Sequence, residues 1–466
     1  MKNLFLISIS LLIFFYSCKK DSFITSPDAQ VSISAEEIKF DTVFTTTGSV
    51  TQSFKIINEN DQKLRLSSIR LMGGTNSYFK INVDGFSGPE VSNIEIDAND
   101  SVYVFVSVSI NQNTADIPFI IQDSIQVIYN STSQQVSLEA WGQNAHFFQD
   151  KKITVDEAWN NDLPYVILGS LIVDAGKKLT INKGCRIFVH ADAPILVDGT
   201  LEINGEKDTV DRVYFRGDRL DEPYNDFPAG WPGIFFRATS KDNIFTYAVI
   251  KNAYQAIAVV DPKVNANPKL VLNECIIDNA YENGIIAVNS SIRARNCLIS
   301  NCGKNVVLAK GGDYQFTHCT VASFSNSYIP HRDPVLTVTN YIVVNNVPVP
   351  ADLTASFRNC IFWGQDGTVE DEVIVDKKGS GVFTVSFNEN LWKVVNTPAN
   401  IPSTGIINNQ NPLFDTINTT KRLYNFRLKD GSPAKNAATN AGVTIDLDGK
   451  PRPVGNAPDL GCYEKQ

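Results

Sequence analysis

Four carboxylates, a tyrosine and a tryptophan fall within residues 217–231: Asp218, Asp221, Glu222, Tyr224, Asp226 and Trp231. Clustered carboxylate oxygens suit Ca2+, a hard cation that takes oxygen ligands. Tyr224 and Trp231 offer flat faces on which a sugar ring can stack. The same residues also describe a solvated loop whose Tyr and Trp pack over the structure beneath, and of the two this is the simpler reading.

Other candidates are thinner. Asp446-Leu447-Asp448-Gly449 opens like a Ca2+ loop but lacks the later ligands and the closing glutamate, so it reads as a terminal turn. His146, His190, His318 and His331 follow no metal-ligand spacing, and His318 is expected to face outward. Trp363 and Trp392 suit packing better than glycan contact. No Gly-x-Ser-x-Gly elbow, His-Glu-x-x-His pair, P-loop or dinucleotide fingerprint occurs in the chain. A glycoside hydrolase needs two carboxylates facing one groove. A polysaccharide lyase needs a basic side chain beside cation-binding aspartates. Neither set can be placed by spacing, and no catalytic residue is assigned. A net charge of −9 argues against nucleic acid, whose phosphates demand a basic face.

What positions the loop is a repeat. Asn-Cys-Leu-Ile-Ser-Asn at 296–301 parallels the segments around Cys275 and Cys319, and the row continues through Tyr341 to Cys360. Positions 275, 297, 319 and 341 are 22 residues apart, and a fixed period in that range marks a solenoid. The units are rich in Val, Ile, Asn and Thr, without a leucine-rich consensus or helical pattern, so each repeat is strands and turns. One such repeat makes one coil of a parallel β-helix. Cys275, Cys297, Cys319, Tyr341 and Cys360 should then stack, with flanking Asn residues forming a ladder at left-handed turns. Thiols stacked in adjacent parallel strands have poor disulfide geometry, so the cysteines after Cys18 read as buried small hydrophobes.

Upstream, residues 30–144 alternate apolar and polar in short strands separated by turn residues, as in Ser101-Val102-Tyr103-Val104-Phe105-Val106. That is an immunoglobulin-like β-sandwich. Residues 1–18 stand apart: Lys2, an apolar run from Leu4 to Tyr16, then Ser17-Cys18. The run falls short of the roughly 20 residues that span a bilayer and suits the core of a signal peptide.

Several resemblances build on these residues. Cys18 followed by Lys19-Lys20-Asp21 resembles a bacterial lipoprotein signal, which implies an acylated Cys18, a tether over 19–29 and a place on the outer membrane, facing the cell surface. The sandwich resembles the hydin-like family, whose domains act as spacers or docking modules. The strands of 150–405, with Trp231-Pro232-Gly233-Ile234, resemble pectate-lyase-like right-handed parallel β-helix proteins. Residues 406–466, with Asp446-Leu447-Asp448-Gly449-Lys450-Pro451-Arg452-Pro453 and Asp459-Leu460-Gly461-Cys462-Tyr463-Glu464, are similar to the ending of choice-of-anchor Q domain proteins and are expected to cap the last coil. The expected fold is all-β, a sandwich followed by a right-handed single-stranded parallel β-helix. The expected function is a lipid-anchored, non-catalytic surface protein whose β-helix flank binds polysaccharide or a surface protein, with no cofactor beyond a candidate Ca2+. A polysaccharide lyase or glycoside hydrolase, and a purely structural or adhesive protein, are the alternatives.

Overall fold

The computed structural model describes residues 22–44, 51–110, 119–399 and 401–466. Cys18 and the apolar segment before it lie outside the described residues. The chain divides into two compact units, Met1–Asn144 and Ala145–Gln466.

The first unit is a sandwich of two five-stranded sheets. One orders Val31–Ile33, Gln52–Asn58, Ser101–Val108, Phe79–Val83 and Phe86–Gly88. The other orders Glu37–Phe44, Thr132–Gln143, Phe119–Tyr129, Leu64–Leu71 and Glu90–Ile96. Period-two alternation decides which side chains meet between the sheets. Val102, Val104, Val106 and Val108 are buried, while Tyr103 and Phe105 on the same strand are exposed.

The second unit is a parallel β-helix in which 26 strands join one continuous ladder. Each coil contributes to three stacks. The first runs through Lys178–Asn182, Thr200–Asn204, Asn243–Thr246, Leu270–Asn273 and Phe383–Asn388 to Ser403–Thr404. The second runs through Arg186–Val189, Val213–Gly217, Ala248–Lys251, Ile276–Asp278, Leu298–Ser300, Thr320–Phe324, Ile361–Gln365 and Leu391–Trp392 to Ile407–Asn408. The third runs through Ile195–Val197, Ile234–Phe236 and Gln255–Val260 to Val373–Asp376. Inward residues of all three form one core, and each fully buried Leu, Ile or Phe contributes roughly 1.5–3 kcal/mol.

The thiol column is present at the corner that opens the second stack. Leu298 N donates to Cys275 O, Thr320 N to Cys297 O and Ile361 N to Cys319 O, each at 2.9 Å, which puts Cys275, Cys297, Cys319 and Cys360 in successive coils. All seven cysteines of the described residues are free and buried. The residue before each column position turns the chain through left-handed backbone: Tyr247, Glu274, Asn296, His318, Asn359 and Glu389 have φ of 49, 52, 48, 51, 58 and 48°.

Tyr341 does not belong to this column. Between Leu336–Thr339 and Leu353–Arg358 the chain leaves the ladder, and Tyr341–Val344 pairs antiparallel with Val347–Pro350 as a hairpin. The coil from Cys319 to Cys360 therefore takes 41 residues. A phenol has no room in a column of thiols, and the Tyr341 hydroxyl instead donates to Asp376 at 2.6 Å. The 22-residue coincidence at 341 marks a departure from the coil.

Of the segment expected to cap the last coil, Ile407–Asn408 adds a rung beyond Leu391–Trp392, and the remainder packs along the flank. It lies against the outward face of the second stack, where Leu298, Ile361 and Leu391 form an apolar cluster with Phe414, Phe426, Leu428, Leu447 and Leu460. An outward stripe of that composition needs a cover, and the last fifty or so residues supply it. The Asp446 and Asp448 turn is closed by protein groups. Asp446 Oδ1 accepts from the Asp448 and Lys450 amides at 2.9 and 2.8 Å, and Asp448 accepts both arms of Arg427 at 2.7 and 2.8 Å. Burial raises the Asp446 carboxyl above its usual range.

Candidate functional site

The corner between the second and third stacks carries an asparagine ladder. Asn252, Asn279 and Asn301 turn the chain at φ of 62, 59 and 51°. Asn279 Nδ2 donates to Asn252 Oδ1 at 2.8 Å and to the Asp226 carbonyl at 3.0 Å, while Asn252 Nδ2 donates to the Asn225 carbonyl at 2.9 Å. The ladder thus clasps the 217–231 loop from below and fixes where Asp226 lies.

Beside this corner Tyr214, Val249 and Ile276 of the second stack floor a cleft of about 350 Å3. The loop forms one wall, and the hairpin Phe414–Asn418 with Leu423–Leu428 forms the other through Arg422, Tyr424 and Phe426. Two ion pairs lie in it. Lys251 Nζ is 3.0 Å from Asp278, and Arg422 Nη2 is 2.8 Å from Asp226. Ser300 Oγ donates to Asp278 at 2.7 Å. The Asp278 carboxylate raises the Lys251 pKa, so the amine stays protonated. The Arg422 guanidinium also lies over the Tyr328 ring, 4.2 Å from its centroid.

The comparisons with known proteins name no family. No family model matches the chain, and no curated protein matches it. Solved structures overlap it in part. A family 123 glycoside hydrolase from Clostridium perfringens is 12% identical with a TM-score of 0.19, over 26% of this chain and 30% of that one. The E. coli chaperone DraB is 10% identical with a TM-score of 0.18, over 25% and 55%. A PapD-like domain of human CEP192 is 12% identical with a TM-score of 0.18, over 28% and 94%. Overlaps this partial carry no argument about this chain.

Of the residues singled out in the loop, the structure brings Asp226 to the cleft and disperses the rest. Asp218 Oδ2 lies 2.7 Å from His190 Nδ1. Asp221 takes both arms of Arg219 at 2.8 Å, which holds its carboxyl below the usual range. Glu222 accepts from Asn225 at 2.9 Å. Each carboxylate has its own partner, and among the described residues no three His, Cys, Asp or Glu side chains are grouped to share a metal. Tyr224 is half-exposed, with Arg219 over its ring at 4.0 Å. Trp231 is fully buried, donates from Nε1 to the Lys251 carbonyl at 2.8 Å and stacks near Phe215, so it belongs to the coil core and offers no sugar platform. Trp363 and Trp392 are buried as well.

His318 is not outward in the sense expected. Its ring leaves the coil interior at the left-handed turn, but the C-terminal segment covers it completely. Nδ1 lies 3.2 Å from the Asp459 carbonyl, and Asn359 Nδ2 donates to Nε2 at 2.9 Å. Burial first, and Arg452 next, push its pKa down to about 2.

Sequence reasoning missed Lys251, Asp278, Arg422 and Tyr424. Lys251 and Asp278 occupy one register position on successive strands. The repeat of Ile250-Lys251-Asn252 as Ile277-Asp278-Asn279 held that signal.

Proposed function

We propose that this chain is a lipid-anchored cell-surface protein that binds polysaccharide on the flank of its β-helix and performs no reaction on it. The anchor rests on the signal-like segment ending at Cys18. The surface role rests on the likeness to pectate-lyase-like and choice-of-anchor Q proteins. The observation that carries the binding reading is the cleft between Asp226, Lys251, Asp278, Arg422 and Tyr424. Small-molecule sites are concave, with an apolar or aromatic floor and a few placed polar groups. This cleft has Tyr214, Val249 and Ile276 as floor and two cation–carboxylate pairs at its walls.

The same pairs argue against catalysis. A hydrolase needs one carboxyl kept protonated and one free. Here Asp226 and Asp278 are each matched to a cation. A lyase needs a base that can accept a proton, and Asp278 keeps Lys251 charged. The test is a glycan-array screen of the soluble form from Lys19 onward, run beside reducing-sugar and unsaturated-product assays. Binding without product is expected, and loss of binding in Lys251→Met with Arg422→Met would place it at the cleft. Release of product overturns the non-catalytic reading.

An adhesive or self-associating role draws on a different feature. The hairpin at 341–350 exposes Val343, Val344, Val347 and Val349, an apolar tip that a protein acting alone gains nothing by presenting.

A further inference from the structure

Asn252-Ala253-Tyr254 and Asn279-Ala280-Tyr281 occupy the same corner on successive coils. In each the asparagine joins the buried ladder, the alanine is buried and the tyrosine points out. Tyr254 is 47% and Tyr281 50% exposed. Their rings stack with centroids 5.7 Å apart and planes at 27°. The separation follows from the rise between neighbouring parallel strands, about 4.8 Å.

On the next coil the position falls to Gly303. The register is fixed by two amides, Tyr281 N to the Ala253 carbonyl at 2.9 Å and Gly303 N to the Ala280 carbonyl at 3.0 Å. Glycine is required there, because a Cβ would come within 2.3 Å of the Tyr281 carbonyl oxygen. The aromatic ladder therefore stops after two rings. A recess of about 200 Å3 opens beyond Tyr281, bounded by Glu282, Lys304 and the turn that carries Arg332 and Asp333. Glu282 and Lys304 face each other at 3.4 Å. None of the residues lining this recess lines the cleft at Asp278.

We propose that the recess is a glycan subsite, in which one neutral pyranose ring of a polysaccharide stacks on Tyr281. A pyranose has a face of C–H bonds and a rim of hydroxyls. The phenol ring meets the first, and donors and acceptors on Lys304, Arg332, Glu282 and Asp333 meet the second. Two cations and two carboxylates balance in the rim, so the site selects neither an acidic nor a basic sugar. The inference rests on the polysaccharide reading above and adds a second point of attachment on an adjacent corner. Two weak subsites on one rigid flank, engaged by one chain, bind more tightly than either alone.

The test is calorimetric titration of the full chain with cellohexaose, xylohexaose and mannohexaose. Wild type is compared with Tyr281→Leu, Tyr281→Phe and the cleft double variant Lys251→Met with Arg422→Met. Tyr281 is half-exposed, and matched thermal unfolding checks that the Leu variant folds. At least one hexasaccharide is expected to bind, Tyr281→Leu to weaken it at least tenfold, and Tyr281→Phe to stay within threefold, since stacking needs the ring and not the hydroxyl. Wild-type affinity in Tyr281→Leu with loss in the cleft variant overturns this subsite and leaves the flank reading standing. Failure of all three hexasaccharides overturns this subsite too. The wider reading then falls only if the glycan array is also blank.

Discussion

Arg452 donates through Nη1 to Asn296 Oδ1 at 2.8 Å, joining positions 156 residues apart. Its Nε donates to Glu464 at 2.9 Å and its Nη2 to the Gly461 carbonyl at 3.0 Å, and both charged side chains are fully buried. This is the latch between the C-terminal segment and the coil. Removing one partner strands the other charge away from water, which costs about 3–5 kcal/mol. Arg452→Met should lower the unfolding free energy by that amount, read as a lower urea midpoint at unchanged slope, with amides of 409–466 losing hydrogen-exchange protection before those of the coil. An unchanged midpoint would show that the segment is held by its apolar contacts alone.

His318 sets an acid limit on stability. In the unfolded chain it takes a proton near pH 6.5, whereas in the fold it stays neutral down to about 2. Its contribution is therefore whole above pH 6.5 and is lost as the pH falls, at about 1.4 kcal/mol per unit. Asn296 and Asn359 hold the equivalent turn in the flanking coils, so asparagine fits the backbone. His318→Asn should match wild type within about 1 kcal/mol at pH 7 and outlast it from pH 6 to 4. Asp446 and Asp459, raised by burial, respond to acid in the opposite direction and are common to both proteins, so the difference at each pH isolates the imidazole. Parallel curves would sink the assignment.

The thiols should be inert in the native state. Burial pushes Cys185 up to about 11 and Cys462 up to about 12, and it raises Cys297 and Cys360 as well. The thiolate is the reactive form, and a reagent must also reach the sulfur. All seven thiols downstream of Cys18 are buried, so at pH 8 a water-soluble thiol reagent should label none of them. Urea should expose all of them together, as read by intact mass. A fast-labelling subset in native buffer would contradict the packed column.

The repeat was legible because the coil imposes one chemistry on one spacing. Small thiols at 275, 297 and 319 recur where the corner is tight, and Asn recurs where φ is positive. The alternation in 101–108 likewise follows from a strand with one face covered. The site was not legible, because its partners come from distant coils. Asp226 finds Arg422 across 196 positions, and no local pattern announces that pairing. For Trp231 the simpler reading, packing over the coil, holds. Beside acidic residues it resembles a sugar platform, yet it is one step from Pro232-Gly233-Ile234, where the chain re-enters the core. Tyr341 matched the period but not the volume its column allows.

The hairpin at 341–350 should be dispensable to the coil. Its two strands pair with each other and not with the ladder, turning through Asn345 and Asn346 at φ of 49 and 61°. Replacing 342–349 by a short Gly-Ser linker should change stability by less than about 1 kcal/mol, since the lost side chains are mostly exposed. Replacing Val343 and Val347 by Lys should leave stability alone and suppress any self-association seen by sedimentation at high concentration. If the linker variant instead unfolds the flanking coils, the insertion is part of their core.

Asn279 tests whether the ladder holds the loop. Asn279→Gly keeps the left-handed turn but removes both amide donations, at about 1–3 kcal/mol for buried groups left unpaired. Asn279→Ala adds the strain of a Cβ at φ 59°, about 1–2 kcal/mol more. Both should speed amide exchange at 225–230, because the Asp226 carbonyl loses one of its two donors. Both should also weaken glycan binding at the cleft, since that carbonyl and the Asp226 carboxylate each receive Arg422 at 2.8 Å. Glycine and alanine variants equal in stability would show that the turn is unstrained. Unchanged exchange in the loop would show that the loop is held from above by Arg422 and not from below by the asparagines.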